Sequence, residues 1–170
     1  MAMEMTASNP PDRGVRTWLI VVYAMIGLMV VIGGITRLTQ SGLSMVTWHP
    51  IAGAVPPIGE AEWQAEFDRY KAFPQYAAMF SQMTLSEFKD IFFWEYFHRL
   101  FGRIIGVVFF VPWLYFVVRR RIRGRWILWT AGAFILGGLQ GVLGWYMVKS
   151  GLVDEPSVSQ YRLAAHLGCL

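Results

Sequence analysis

The sequence predicts an all-α, polytopic membrane helix bundle, and three observations carry that prediction. Of its 170 residues, 55% are hydrophobic, 16% aromatic and only 15% charged, a balance typical of membrane-embedded chains. Three apolar stretches, 18–35, 104–118 and 126–148, contain no charged residue. Five of the fifteen basic residues crowd into 119–125, directly after the second stretch. That clustering is a membrane-topology signal and argues against the dispersed basic stripe of a nucleic-acid-binding protein, despite a pI near 9.5. The single cysteine, Cys169, excludes an internal disulfide and a thiolate metal site built from this chain alone.

Residues 1–16 are polar and contain proline, and no small-residue cleavage site follows the next apolar run, so they read as a loose cytoplasmic tail. The transmembrane unit is expected over 17–170. Its first helix spans about 18–36, with Gly33, Gly34 and Arg37 at the far end. An outer loop, 37–84, is rich in glycine and proline. Within it, EAEWQAEFDRY sets Trp63, Phe67 and Tyr70 opposite Glu62, Glu66 and Arg69, which predicts a short amphipathic helix lying on the membrane surface. Thr84 and Glu87 form a capping-box pattern that opens a second helix, 85–118, with Pro112 marking a kink. The third helix, 126–148, carries Gly132, Gly137, Gly138, Gly141 and Gly144 for close helix approach, with Gln140 as polar packing glue. Ser157 and Gln160 suggest a second capping box and a fourth helix over 158–170. So short a helix cannot cross ~30 Å of hydrocarbon at ~1.5 Å per residue, so the chain reads as stopping inside it.

The basic 119–125 loop is expected in the cytoplasm, with the N-terminus beside it and the loops at 37–84 and 149–157 outside. The chemistry then gathers in FFWEYFHRLFGR, residues 92–103, at the outer mouth of the second helix. Glu95, His98, Arg99 and Arg103 interrupt an apolar run there, and each charge in hydrocarbon costs roughly 2.5–3.5 kcal/mol. Helical spacing turns Glu95 and His98 one way and strings Glu95, Arg99 and Arg103 along an adjoining stripe. His98 and His166 fall at compatible depths on two parallel helices. Imidazoles so placed can ligate a haem iron from both sides, or can simply hydrogen-bond to neighbouring helices; spacing leaves both open. Gly102 and Gly168 are the small residues nearest in sequence that would admit a flat macrocycle. Glu95 reads either as a salt-bridge partner of Arg99 or as a carboxylate acting as base or stabilising positive charge. Arg99 and Arg103 can hold haem propionates or snorkel to the interface. His49, between Trp48 and Pro50, reads as an interfacial histidine.

The blocks GGITRLTQSGLSMVTWHP, PPIGEAEWQAEFDRYKAFPQY, MTLSEFKDIFFWEYFHRLFGR, GGLQGVLGWYMVKSGL and VSQYRLAAHL together resemble the haem A synthase family, in its proteobacterial and mitochondrial branch. The resemblance implies an eight-helix membrane protein made of two similar four-helix halves, of which this chain is the N-terminal half with its fourth helix truncated. It implies oxidation of a ring methyl of haem O to a formyl group, giving haem A for terminal oxidases. Glu95 becomes the catalytic carboxylate, and His98 and His166 become ligands of the haem iron. Haem O is then the substrate of this half, and a haem B cofactor is expected in the other. Haem O synthase, cytochrome oxidase assembly factors and an electron donor are the implied partners, in a bacterial inner membrane. The Gram-positive branch carries a cysteine pair in its outer loop; none occurs here, which removes a thiol mechanism. About as many residues again are expected after Leu170, and the chain alone is expected to be inactive. A b-type electron-transfer protein and a non-enzymatic haem-delivery or oxidase-assembly subunit remain the alternatives.

Overall fold

A computed structural model describes residues 12–46, 52–151 and 159–168. Every regular element among them is helical: α1 (Arg13–Leu38), α2 (Glu60–Lys71), α3 (Pro74–Met79), α4 (Leu85–Val118), α5 (Arg125–Gly151) and α6 (Gln160–Gly168), with single 3₁₀ turns at Ser41–Leu43 and Ala52–Ala54. α1, α4 and α5 are long and apolar enough to cross a membrane. α4 is the central element, packing against α1, α5, α2 and the first 3₁₀ turn, while α6 packs on α5.

α1 begins inside the segment read from sequence as tail, because the Asp12 carboxylate accepts the Gly14 amide at 2.8 Å and caps it. It also continues past Gly33 and Gly34, which lie within the helix. Near its end the Thr36 and Thr39 hydroxyls bond back to Ile32 and Ile35 carbonyls at 2.9 and 2.8 Å. The capping box at the start of α4 is formed: Thr84 N donates to Glu87 Oε2 at 2.7 Å, and Glu87 N donates to Thr84 Oγ1. Ser157 and His49 lie outside the described residues.

Pro112 sits inside α4, which stays helical through it. Proline lacks the amide that would bond to the carbonyl four residues back, so it orphans the Val108 carbonyl. Trp18 of α1 supplies the missing donor, its indole Nε1 reaching Val108 O at 3.0 Å. The same ring packs edge-on against Phe109 at 5.0 Å between centroids, inside a cluster of Val15, Val22, Phe116 and Ile122. A second indole link joins α4 to α5, from Trp113 Nε1 to Thr130 Oγ1 at 2.9 Å. Trp18→Phe keeps the aromatic packing but leaves the Val108 carbonyl unpaired in hydrocarbon. It should destabilise the protein by about 1 kcal/mol, read as a lower thermal midpoint in detergent.

The amphipathic helix expected on the membrane surface is present as α2, but its apolar face is turned onto protein. Phe67 stacks on Phe88 at 5.0 Å, Tyr70 lies 5.3 Å from the same ring, and Trp63 meets Phe92 edge-on at 5.0 Å. The first turns of α4 carry Phe88, Ile91 and Phe92 as an apolar platform, and burying α2 there removes both apolar surfaces from water. The Tyr70 hydroxyl donates to Gln75 Oε1 at 2.9 Å, and Gln75 Nε2 donates to Gln40 O at 3.0 Å. Burial, reinforced by the negative charge of Glu95, raises the Tyr70 phenol well above its ordinary pKa, so it remains a proton donor. Gln40 holds a left-handed backbone (φ 57°), which lets the chain turn sharply out of α1 into the Ser41–Leu43 turn.

Candidate functional site

The turn after α1 brings Ser44 and Met45 onto α4 beside Glu95. That carboxylate is only 2% exposed. Its Oε2 accepts from Ser44 Oγ at 2.7 Å and from the Met45 amide at 2.6 Å, while Oε1 pairs with Arg99 Nη2. Arg99 Nη2 also donates to the Met45 carbonyl at 3.2 Å. Glu95 and Arg99 thus form a buried ion pair whose second task is to clamp residues 44–45 to the helix. Both charges are compensated, as a low-dielectric setting demands.

One turn along α4, His98 rests on α1 at Gly33. A Cβ added to Gly33 would come within 3.3 Å of His98 Cε1 and 3.6 Å of Nδ1. His166 of α6 rests in the same manner on α5 at Gly144, where an added Cβ would lie 3.4 Å from its Cε1. The Nδ1 atom of each imidazole is buried and makes no hydrogen bond among the described residues. His98 and His166 thus each lie against a glycine of a neighbouring helix, and the Glu95–Arg99 pair stands one turn from His98 on α4.

The glycines against which the imidazoles rest are a different pair from Gly102 and Gly168, read from sequence as admitting a flat macrocycle. Gly102 faces Met29 Cε at 3.4 Å, and Gly168 has nothing within 4 Å. Gly33 was read as a helix end and Gly144 as a packing residue, because which helix faces each imidazole is a matter of crossing geometry. Their signal was present only as small residues in apolar spans.

Among the described residues no group of three or more His, Cys, Asp or Glu side chains gathers. Imidazoles from two helices are one set of residues that would hold a haem iron. Two buried ring nitrogens without partners, each ring seated where a Cβ would crowd it, fit that group.

Fold and site together define a class: a multi-pass membrane protein with two histidines, on two helices, whose Nδ1 atoms are buried without a partner among the described residues. Residues 16–169 match the COX15-CtaA family, described as cytochrome oxidase assembly protein, and the chain belongs to that family. Similar curated proteins are each named heme A synthase. That of Azorhizobium caulinodans is 57% identical over 155 residues, covering 91% of this chain and 44% of the relative. That of Nitrosomonas eutropha is 54% identical over 154 residues, covering 91% and 43%. That of Parvibaculum lavamentivorans is 53% identical over 167 residues, covering 98% and 48%. The chain thus spans about half the length of the curated relatives it matches. No solved structure matches it.

Proposed function

We propose that this chain forms the N-terminal, substrate-holding half of a haem A synthase, which oxidises a ring methyl of haem O to a formyl group. The single observation that carries the reading is the pair of imidazoles, His98 on Gly33 and His166 on Gly144, each with a buried Nδ1 that no described residue satisfies. Family membership and the names of the relatives support it. His98 and His166 hold the iron of haem O, and the two glycines set the planes of their rings. Arg99, fixed by Glu95 and the Met45 carbonyl, presents positive charge beside His98, and Arg103 extends that charge one turn further for the propionates. Glu95 serves the oxidation by balancing charge at this mouth and keeping the 44–45 segment closed over it, which excludes water. Haem O itself brings the methyl group to be oxidised and a redox-active iron.

The remaining assignments follow the same reading. The basic 119–125 loop faces the cytoplasm of a bacterial inner membrane, with the N-terminus beside it and the histidine site in the outer half. Haem B occupies the other half of the full-length protein. Haem O synthase supplies the substrate, an electron donor supports the oxidation, and oxidase assembly factors receive the product.

The test is expression of the full-length protein in cells that make haem O but no haem A, followed by acid extraction and chromatography of their haems. Haem A should appear. Retention of haem B with no haem A would overturn the reading in favour of an electron carrier. Within the same assay, Gly33→Val should push His98 aside and lower haem retained at this site by about tenfold or more, with helical content unchanged by circular dichroism. A Cβ contact of 3.3 Å is already tighter than ordinary packing, and the branched side chain adds atoms to it.

A further inference from the structure

Gln140 lies within α5, in the stretch 126–148 that carries no charged residue. Read from sequence as glue between helices, it glues nothing here: its Oε1 and Nε2 are both buried, and neither has a hydrogen-bond partner among the described residues. Burying an amide without compensation is costly, more so in a membrane, where no water competes to satisfy it. Gln140 is one turn from Gly144 on the same face of α5, about 6 Å along the helix axis. Gly144 is the residue on which His166 rests. On the other side along that face, Gly137 has nothing within 4 Å of where its Cβ would be, so no side chain fills α5 there.

We propose that Gln140 is a specificity-determining residue that hydrogen-bonds an oxygen-bearing substituent, hydroxyl or carbonyl, on the edge of the macrocycle held by His98 and His166. This rests on the haem-binding reading above. A carboxamide is suited to the task because it carries a donor and an acceptor on one flat group, and so satisfies a hydroxyl in either sense and a formyl oxygen through its N–H. It is neutral, which makes it less costly at this depth than a charged residue. The reaction converts an apolar methyl into an oxygenated carbon, so an amide at the ring edge separates oxidised from unoxidised rings. An apolar wall there cannot.

The experiment uses the full-length protein purified in detergent, with Gln140→Met as the principal variant. Methionine keeps the length and helix preference of glutamine and removes both hydrogen-bonding atoms. Purified protein is loaded in parallel with haem A, which carries a formyl group, and with haem O, the same molecule with a methyl in its place. The amount retained by His98→Ala is subtracted from each, to remove haem held elsewhere in the protein. Wild-type protein should prefer haem A, and Gln140→Met should reduce the haem A to haem O ratio by about fivefold, the worth of one buried hydrogen bond. Gln140→Asn should restore part of the preference.

An unchanged ratio in Gln140→Met overturns the proposal. A uniform fall in both haems with a lower thermal midpoint overturns it too, assigning Gln140 to contact between helices instead. If Gln140→Met does not fold, Gln140→Asn alone decides: a shortened amide must weaken the preference for haem A without altering retention of haem O. Failure of the haem reading itself shows separately, as retention that His98→Ala does not change.

Discussion

Glu95→Ala should both destabilise the protein and abolish haem A formation. Removal of the carboxylate leaves the Arg99 guanidinium, with a side chain only 9% exposed, buried beside a vacant site, and frees the Ser44 hydroxyl and Met45 amide at the same time. Breaking one partner of a buried pair costs about 3–5 kcal/mol, most of it from the charge left behind. The thermal midpoint in detergent should therefore fall by several degrees, and proteolysis should increase near residues 44–46. Glu95→Gln separates the two roles. Its amide oxygen can still accept from Met45 N, but its NH₂ group opposes the Arg99 donor, so stability should fall less while haem A formation stays low. A Glu95→Ala protein with wild-type stability would remove the clamp from the account, leaving Glu95 a purely chemical role.

His98→Ala should have the opposite signature. Haem bound at this site and haem A produced should both be lost, while the fold persists with a midpoint within a few degrees of wild type. The physical reason lies in the unsatisfied Nδ1: it makes no hydrogen bond among the described residues, so the substitution strands no group bonded to that atom. A structural histidine would behave otherwise, because its removal would strand the groups bonded to it. His166→Ala should match His98→Ala in haem content. If either variant retained full haem and full haem A formation, that histidine would not be an iron ligand.

The contrast between these residues shows how legible the site was. His98 and His166 were readable as a pair because ionisable groups are costly in apolar spans and because helical rise converts residue number into depth. The short capping motif at Thr84 and Glu87 was readable because its partners lie within one turn. The Glu95 clamp was only half readable. Arg99 follows at helical spacing, but Ser44 and Met45 arrive from some fifty residues upstream, and no local pattern announces them. The same holds for Trp18 and the Val108 carbonyl: Pro112 declares that a carbonyl is orphaned, but not which helix will answer it.

By itself, then, the sequence determined that this is an all-helical membrane chain, where its long spans lie, and which few polar side chains they carry into hydrocarbon. Those properties follow from composition and short-range periodicity, which act within one helix. Tertiary structure alone decided that Gly33 and Gly144 seat the imidazoles, that α2 turns its aromatic face onto α4, and that Gln140 is left without a partner among the described residues. Each of these depends on the rotation and crossing of one helix against another. Ridge-and-groove packing sets those quantities from many weak contacts at once, and no single stretch of sequence encodes them.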